Sequence, residues 1–184
     1  FQDGSPYANE TISERFRSDE ISWAFPAGKK VDMLTSVLFS SKQNTINGAG
    51  YFINRHQESA KADYKFRDVW TLQLGLGFEV AKQTDIDIRS TIPSGEIGLI
   101  RDFKNKGRIS AKLSYFRVIV DPEGAYIPYQ VASGKREGDN LLANMRARME
   151  LYKNGRLDFS YRYENFARRP EKHNLKMEVT ILFL

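Results

Sequence analysis

The sequence predicts an all-β chain, an antiparallel up-and-down transmembrane β-barrel of about ten strands. Three observations predict it. Apolar and polar residues alternate with period two, several segments are long enough to cross a bilayer, and short connections alternate with longer ones. Composition alone hides this. A mean hydropathy of −0.52 with 28% charged residues looks soluble, yet a wall that is polar inside and apolar outside averages to the same value. No window of the 184 residues approaches the roughly 18 consecutive apolar residues of a spanning helix. The absence of cysteine excludes a disulfide framework, Cys-ligated zinc, Fe–S clusters and a thiol nucleophile.

Taken in order, residues 1–18 are polar and aperiodic and read as an extended lead-in, and 19–184 read as one barrel domain. The chain starts at Phe1, which reads as a processed or truncated start. Weaker strands are expected at 21–25, 31–41, 45–54 and 95–103. Stronger alternation begins at Ala60, Ala62, Tyr64 and Phe66, set against Lys61, Asp63, Lys65 and Arg67. Trp70 to Val80 follows with Leu72, Leu74, Leu76 and Phe78 on one face, and Gly75 and Gly77 on the other give room to bulky neighbours. Ile109, Ala111, Leu113 and Tyr115 alternate with Arg108, Ser110, Lys112 and Ser114; the slip to Phe116, Val118 and Val120 reads as a β-bulge. The last three strands are 143–151, 157–163 and 175–183.

Short connections are expected at 42–44, 67–68, 104–107 and 153–155, and longer ones at 83–94, 121–139 and 164–173. Strict alternation would sort the two kinds to opposite ends, as in a barrel that spans a membrane. The joints 26–30 and 55–59 are intermediate. At 153–155, turn chemistry favours a three-residue loop with Glu150 opposite Asp158. Charge favours a five-residue loop with Glu150 opposite Arg156 and Arg148 opposite Asp158. Both registers remain open at this level.

Aromatic residues mark the strand ends. Phe66, Trp70, Phe103 and Phe183 are expected in a girdle near the short turns, and Phe78, Tyr115, Tyr161 and Tyr163 near the long loops, with an aliphatic band between. The final alternating segment, Leu175, Met177, Val179, Ile181 and Phe183, is similar to the C-terminal targeting strand of bacterial outer-membrane β-barrel proteins. The chain resembles that family over 19–184 as an architecture; the family usually ends on the aromatic, whereas here Leu184 follows. The resemblance implies a Gram-negative outer membrane, with membrane lipid and the barrel-assembly machinery as partners.

The opposite face is expected to line the lumen: Lys61, Lys65, Glu79, Arg108, Lys112, Arg146, Arg148, Glu150, Arg156, Asp158, Arg162, Lys176 and Glu178. The nearly balanced signs and about ten strands point to a narrow or plugged interior filled by ion pairs. The expected role is therefore structural: an anchor, or one subunit of a surface complex, without enzymatic activity. A porin-like channel or small-solute transporter of the same fold is the second reading. A soluble β-sandwich or lipocalin-like ligand binder is the third.

No catalytic, metal or cofactor constellation is legible. His56 and His173 are expected in outer loops, with nothing fixing a nucleophile beside either. The net charge of +5 is interspersed, unlike a nucleic-acid footprint. The connection 121–139, with Tyr126 and Tyr129, is the expected partner contact.

Overall fold

The computed structural model describes residues 12–46, 49–67, 69–104, 106–123, 131–132, 135–151 and 155–181. Nine strands are present among them: β1 Ile12–Pro26, β2 Val31–Ile46, β3 Ala49–Phe66, β4 Trp70–Gln83, β5 Ile88–Phe103, β6 Gly107–Asp121, β7 Gly138–Glu150, β8 Gly155–Phe166 and β9 Lys172–Ile181. Each pairs antiparallel with the next, in one sheet ordered β1 to β9. All reach the 10 residues of β9 or exceed it, and β3 has 18, against the roughly 9–11 that a tilted spanning strand needs.

The expected tenth strand is absent among the described residues because two segments are one. The polar run Arg55, His56, Gln57, Glu58 and Ser59 was expected to be a joint, but it continues β3 without a break. It holds no Gly or Pro, and it pairs on both sides: His56 lies opposite Phe39 of β2 and Val80 of β4. The first strand also starts earlier than expected, at Ile12 within the presumed lead-in. Residues 42–44 belong to β2 rather than to a turn. The presumed loop 83–94 shrinks to 84–87 because β5 begins at Ile88.

These shifts alter the sorting of connections. One end carries 27–30, 67–69, 104–106 and 151–154; the other carries 47–48, 84–87, 122–137 and 167–171. The first end has only short turns, but the second also holds the shortest connection of all. A single long connection, 122–137, remains.

The expected bulge after Tyr115 does not form. Ser94 faces Phe116 and Thr91 faces Ile119 in one constant register, while pairing lapses at Ile92 and Pro93; a proline has no N–H to donate to the ladder. Phe116, Val118 and Val120 therefore keep the same face as Ser114 and Lys112, and Arg117 turns to the other. The break in alternation has a different cause. Val118 and Val120 join Ile53, Ala81, Ile88 and Ile92 in a buried cluster, capped by Val131 and Ala132 of the 122–137 connection. Tyr51 and Phe116 pack against it.

The β7–β8 hairpin takes the charge-favoured register. Glu150 lies opposite Arg156 and Arg148 opposite Asp158, and the Arg148 guanidinium meets the Asp158 carboxylate at 2.7 Å. The Arg148–Asp158 attraction outweighs the preference for a tighter turn, while the Arg156 guanidinium turns to Asp158 at 2.6 Å rather than to Glu150. The glycine expectation is met at Gly75, where a Cβ would collide with the long Glu96 side chain; at Gly77 the neighbour is the small Ser94, whose hydroxyl would lie 2.6 Å from a Cβ.

Candidate functional site

The register divides every strand between two faces. Every buried strand residue, among them Ile53, Glu79, Ala81, Ser90, Ile92, Val118 and Asn140, falls on the face that the 131–132 segment covers, here the inner face. The outer face carries Leu72, Leu74, Leu76, Ile97, Leu99, Leu113, Met145, Leu175, Met177 and Val179 in one connected lattice. Its large side chains stand open to the surroundings: Leu76 is 73% exposed and Leu175 69%. Such a contiguous apolar surface marks contact with membrane or protein.

All thirteen sequence-predicted interior residues have inner-face register: Lys61, Lys65, Glu79, Arg108, Lys112, Arg146, Arg148, Glu150, Arg156, Asp158, Arg162, Lys176 and Glu178. Most are ion-paired. Lys65 meets Asp32 at 2.7 Å, Arg108 meets Asp102 at 3.5 Å and Lys112 meets Glu96 at 2.5 Å. Arg162 pairs with Glu164 at 2.5 Å and Lys176 with Glu178 at 2.9 Å. Asp158 holds two guanidiniums, Arg148 at 2.7 Å and Arg156 at 2.6 Å. A groove of about 860 Å³ runs over β6 to β9. Arg108, Lys112, Arg146, Arg148, Arg156 and Lys176 line it against only Asp158 and Glu178. The balance of signs expected over the whole face is thus not local, and this region has a positive excess.

At the end with the long connection the inner face is closed over. Glu79, 8% exposed, accepts Arg55 from the neighbouring strand at 3.1 Å and Lys135 from the connection at 3.1 Å. The Ser90 hydroxyl donates to the Val131 carbonyl at 2.9 Å, and the Lys135 ammonium stands 5.4 Å from the Phe116 ring centre. Asn140 ties down the base of the connection through its amide to the Arg136 and Gly138 carbonyls. A hydrogen-bonded, charge-paired strap therefore holds Val131, Ala132 and Lys135 against the wall. Sequence reading missed it. The available signal was the apolar inner-face run Phe116, Val118 and Val120, which has no polar lining to offer.

The aromatic positions Phe66, Trp70, Phe78, Phe103, Tyr115, Tyr161 and Tyr163 all have outer-face register. At the short-turn end they form one belt. Tyr64 stacks on Phe66 at 5.9 Å and Phe66 on Trp70 at 6.2 Å. Arg101 lies 5.0 Å from the Trp70 ring centre and 4.6 Å from that of Phe103. At the other end, Tyr115 donates to Asp139 at 2.6 Å. Phe183, Tyr126 and Tyr129 lie outside the described residues.

Both histidines sit in strands, contrary to the loop expectation. His56, within β3, contacts Glu58 at 2.8 Å and the Phe39 ring at 4.5 Å. His173 is the second residue of β9, with Nδ1 2.8 Å from the Tyr161 hydroxyl. Both have outer-face register. Among the described residues no cluster of three or more His, Asp or Glu forms a metal site.

No family model matches the chain, and no curated protein matches it. Among solved structures it is similar to the outer-membrane expressed OmpT of Vibrio cholerae, with a TM-score of 0.60 at 8% identity. The match covers 82% of this chain and 46% of that one, so the chain spans about half the length of its structural neighbour. By fold, this all-β antiparallel up-and-down sheet of nine strands resembles an outer-membrane β-barrel protein.

Proposed function

We propose that the chain forms part of the wall of an outer-membrane β-barrel whose polar interior lets small hydrophilic solutes pass, without enzymatic activity of its own. The carrying observation is the division of the sheet into an apolar, outward-open lattice and a charged face with a groove of about 860 Å³. Lipid solvates the first surface and water the second. The expectation of a narrow interior rested on about ten strands closing within the chain. Among the described residues β1 and β9 do not pair, and the structural neighbour is about twice as long, so a filled lumen does not follow from the strand number. Membrane lipid and the barrel-assembly machinery are the partners this reading requires.

A structural or anchoring role, with other surface-complex subunits as partners, is the second reading. The strap over the inner face favours it, since Val131 and Ala132 fill one end of the interior with apolar side chains. A soluble sandwich is disfavoured, because a second sheet would cover Leu76 and Leu175. The deciding experiment pairs outer-membrane fractionation with planar-bilayer recording. Membrane association with discrete conductance is expected. Association without conductance supports the anchor, and solubility without detergent sinks both membrane readings.

A further inference from the structure

One cation in the groove differs from the rest. Arg108, Lys112, Arg148, Arg156 and Lys176 each touch a carboxylate. Arg146 lines the same groove and has no acidic partner among the described residues. Its register neighbours are hydroxyls: Ser110 lies directly opposite on β6 and Ser160 on β8, each roughly 5 Å away across the ladder. Lys176 is next in the same row, opposite Ser160. The acids nearest in register are already engaged, Asp158 by two guanidiniums and Glu178 by Lys176.

We propose that Arg146, flanked by Ser110 and Ser160, is a binding subsite for the oxyanion of a small solute, a carboxylate or a phosphate. A guanidinium offers a planar fork of donors that fits two oxygens at once, and a hydroxyl on either side supplies a further donor. The surrounding positive excess draws anions toward the groove. Among the described residues no carboxylate pairs with the fork. The subsite rests on the reading of the inner face as a solute-accessible wall.

Arginine modification by phenylglyoxal, mapped by mass spectrometry on the detergent-purified chain, tests the site without requiring conductance. Inorganic phosphate or acetate is expected to slow modification of Arg146 several-fold while leaving Arg148 and Arg156 nearly unchanged. Protection by phosphate alone or by acetate alone identifies which oxyanion the site takes. The Ser110→Ala, Ser160→Ala double variant is expected to lose most of the protection. Equal rates at Arg146 with and without both anions, or equal slowing of all three arginines, would overturn the proposal. Protection that persists in a chain that does not fractionate with outer membranes would sink the conduit reading and leave the subsite standing.

Discussion

Leu74 stands on the outer face between Ala62 of β3 and Ile97 of β5, with nearly half its surface open. If lipid covers that surface, Leu74→Arg should cost about 2–4 kcal/mol near the bilayer midplane, measured by urea titration of the chain refolded into vesicles. The neighbouring Gln73→Arg should cost far less, because Gln73 faces inward beside Asp63. Equal costs would mean that the two faces do not differ in solvent. Both were legible by counting parity, since successive strand side chains point to opposite faces. The role of Glu79 was not legible, because its partner Lys135 is 56 residues away and no periodicity links them. Glu79→Gln should release the strap and speed tryptic cleavage after Lys135; an unchanged cleavage rate would show that the carboxylate does not hold it.

Among elements, the β7–β8 hairpin decides between turn chemistry and charge. A double-mutant cycle on Arg148→Ala and Asp158→Ala should return a coupling of roughly 0.2–1 kcal/mol, typical of opposed cross-strand charges. The same cycle on Glu150 and Asp158 should return almost none, and the reverse ranking would restore the three-residue loop. At the 84–87 turn, the Lys82 ammonium hydrogen-bonds Asp87 at 2.7 Å. That hydrogen bond, then the charge of Lys82, holds the Asp87 carboxyl below its ordinary value. The pairing is therefore present above the usual aspartate range and lost as pH falls through the depressed value. An NMR titration should place the Asp87 midpoint below the ordinary one, and Lys82→Gln should raise it. The element errors share a cause. Apolar alternation fades at 55–59, but β3 crosses that polar run because ladders on both sides bind its backbone. The Phe116 to Val120 run departs from alternation because Val131 and Ala132, in the connection that follows β6, supply it with an apolar cover.

For the whole molecule, the nine alternating strands among the described residues leave β1 and β9 running in the same direction. A second copy in the same membrane orientation would thus present a parallel edge, whereas a fully antiparallel closure needs an odd number of further strands. Because the chain has no cysteine, a double variant Ile21→Cys, Leu175→Cys tests the edges cleanly. It should form no intramolecular disulfide under oxidant; a ready one would mean that β1 and β9 meet. The sequence by itself determined the all-β class, the antiparallel order and, outside the 116–120 run, the membership of each face, because period-two alternation is a local property that backbone geometry converts directly into sidedness. Only the tertiary structure decided the strand number, the hairpin register, the strap and the lack of an acidic partner for Arg146 among the described residues. Each depends on which residues the fold brings together, through ladder register in the strands and through side-chain contacts in the strap, and period-two alternation specifies neither.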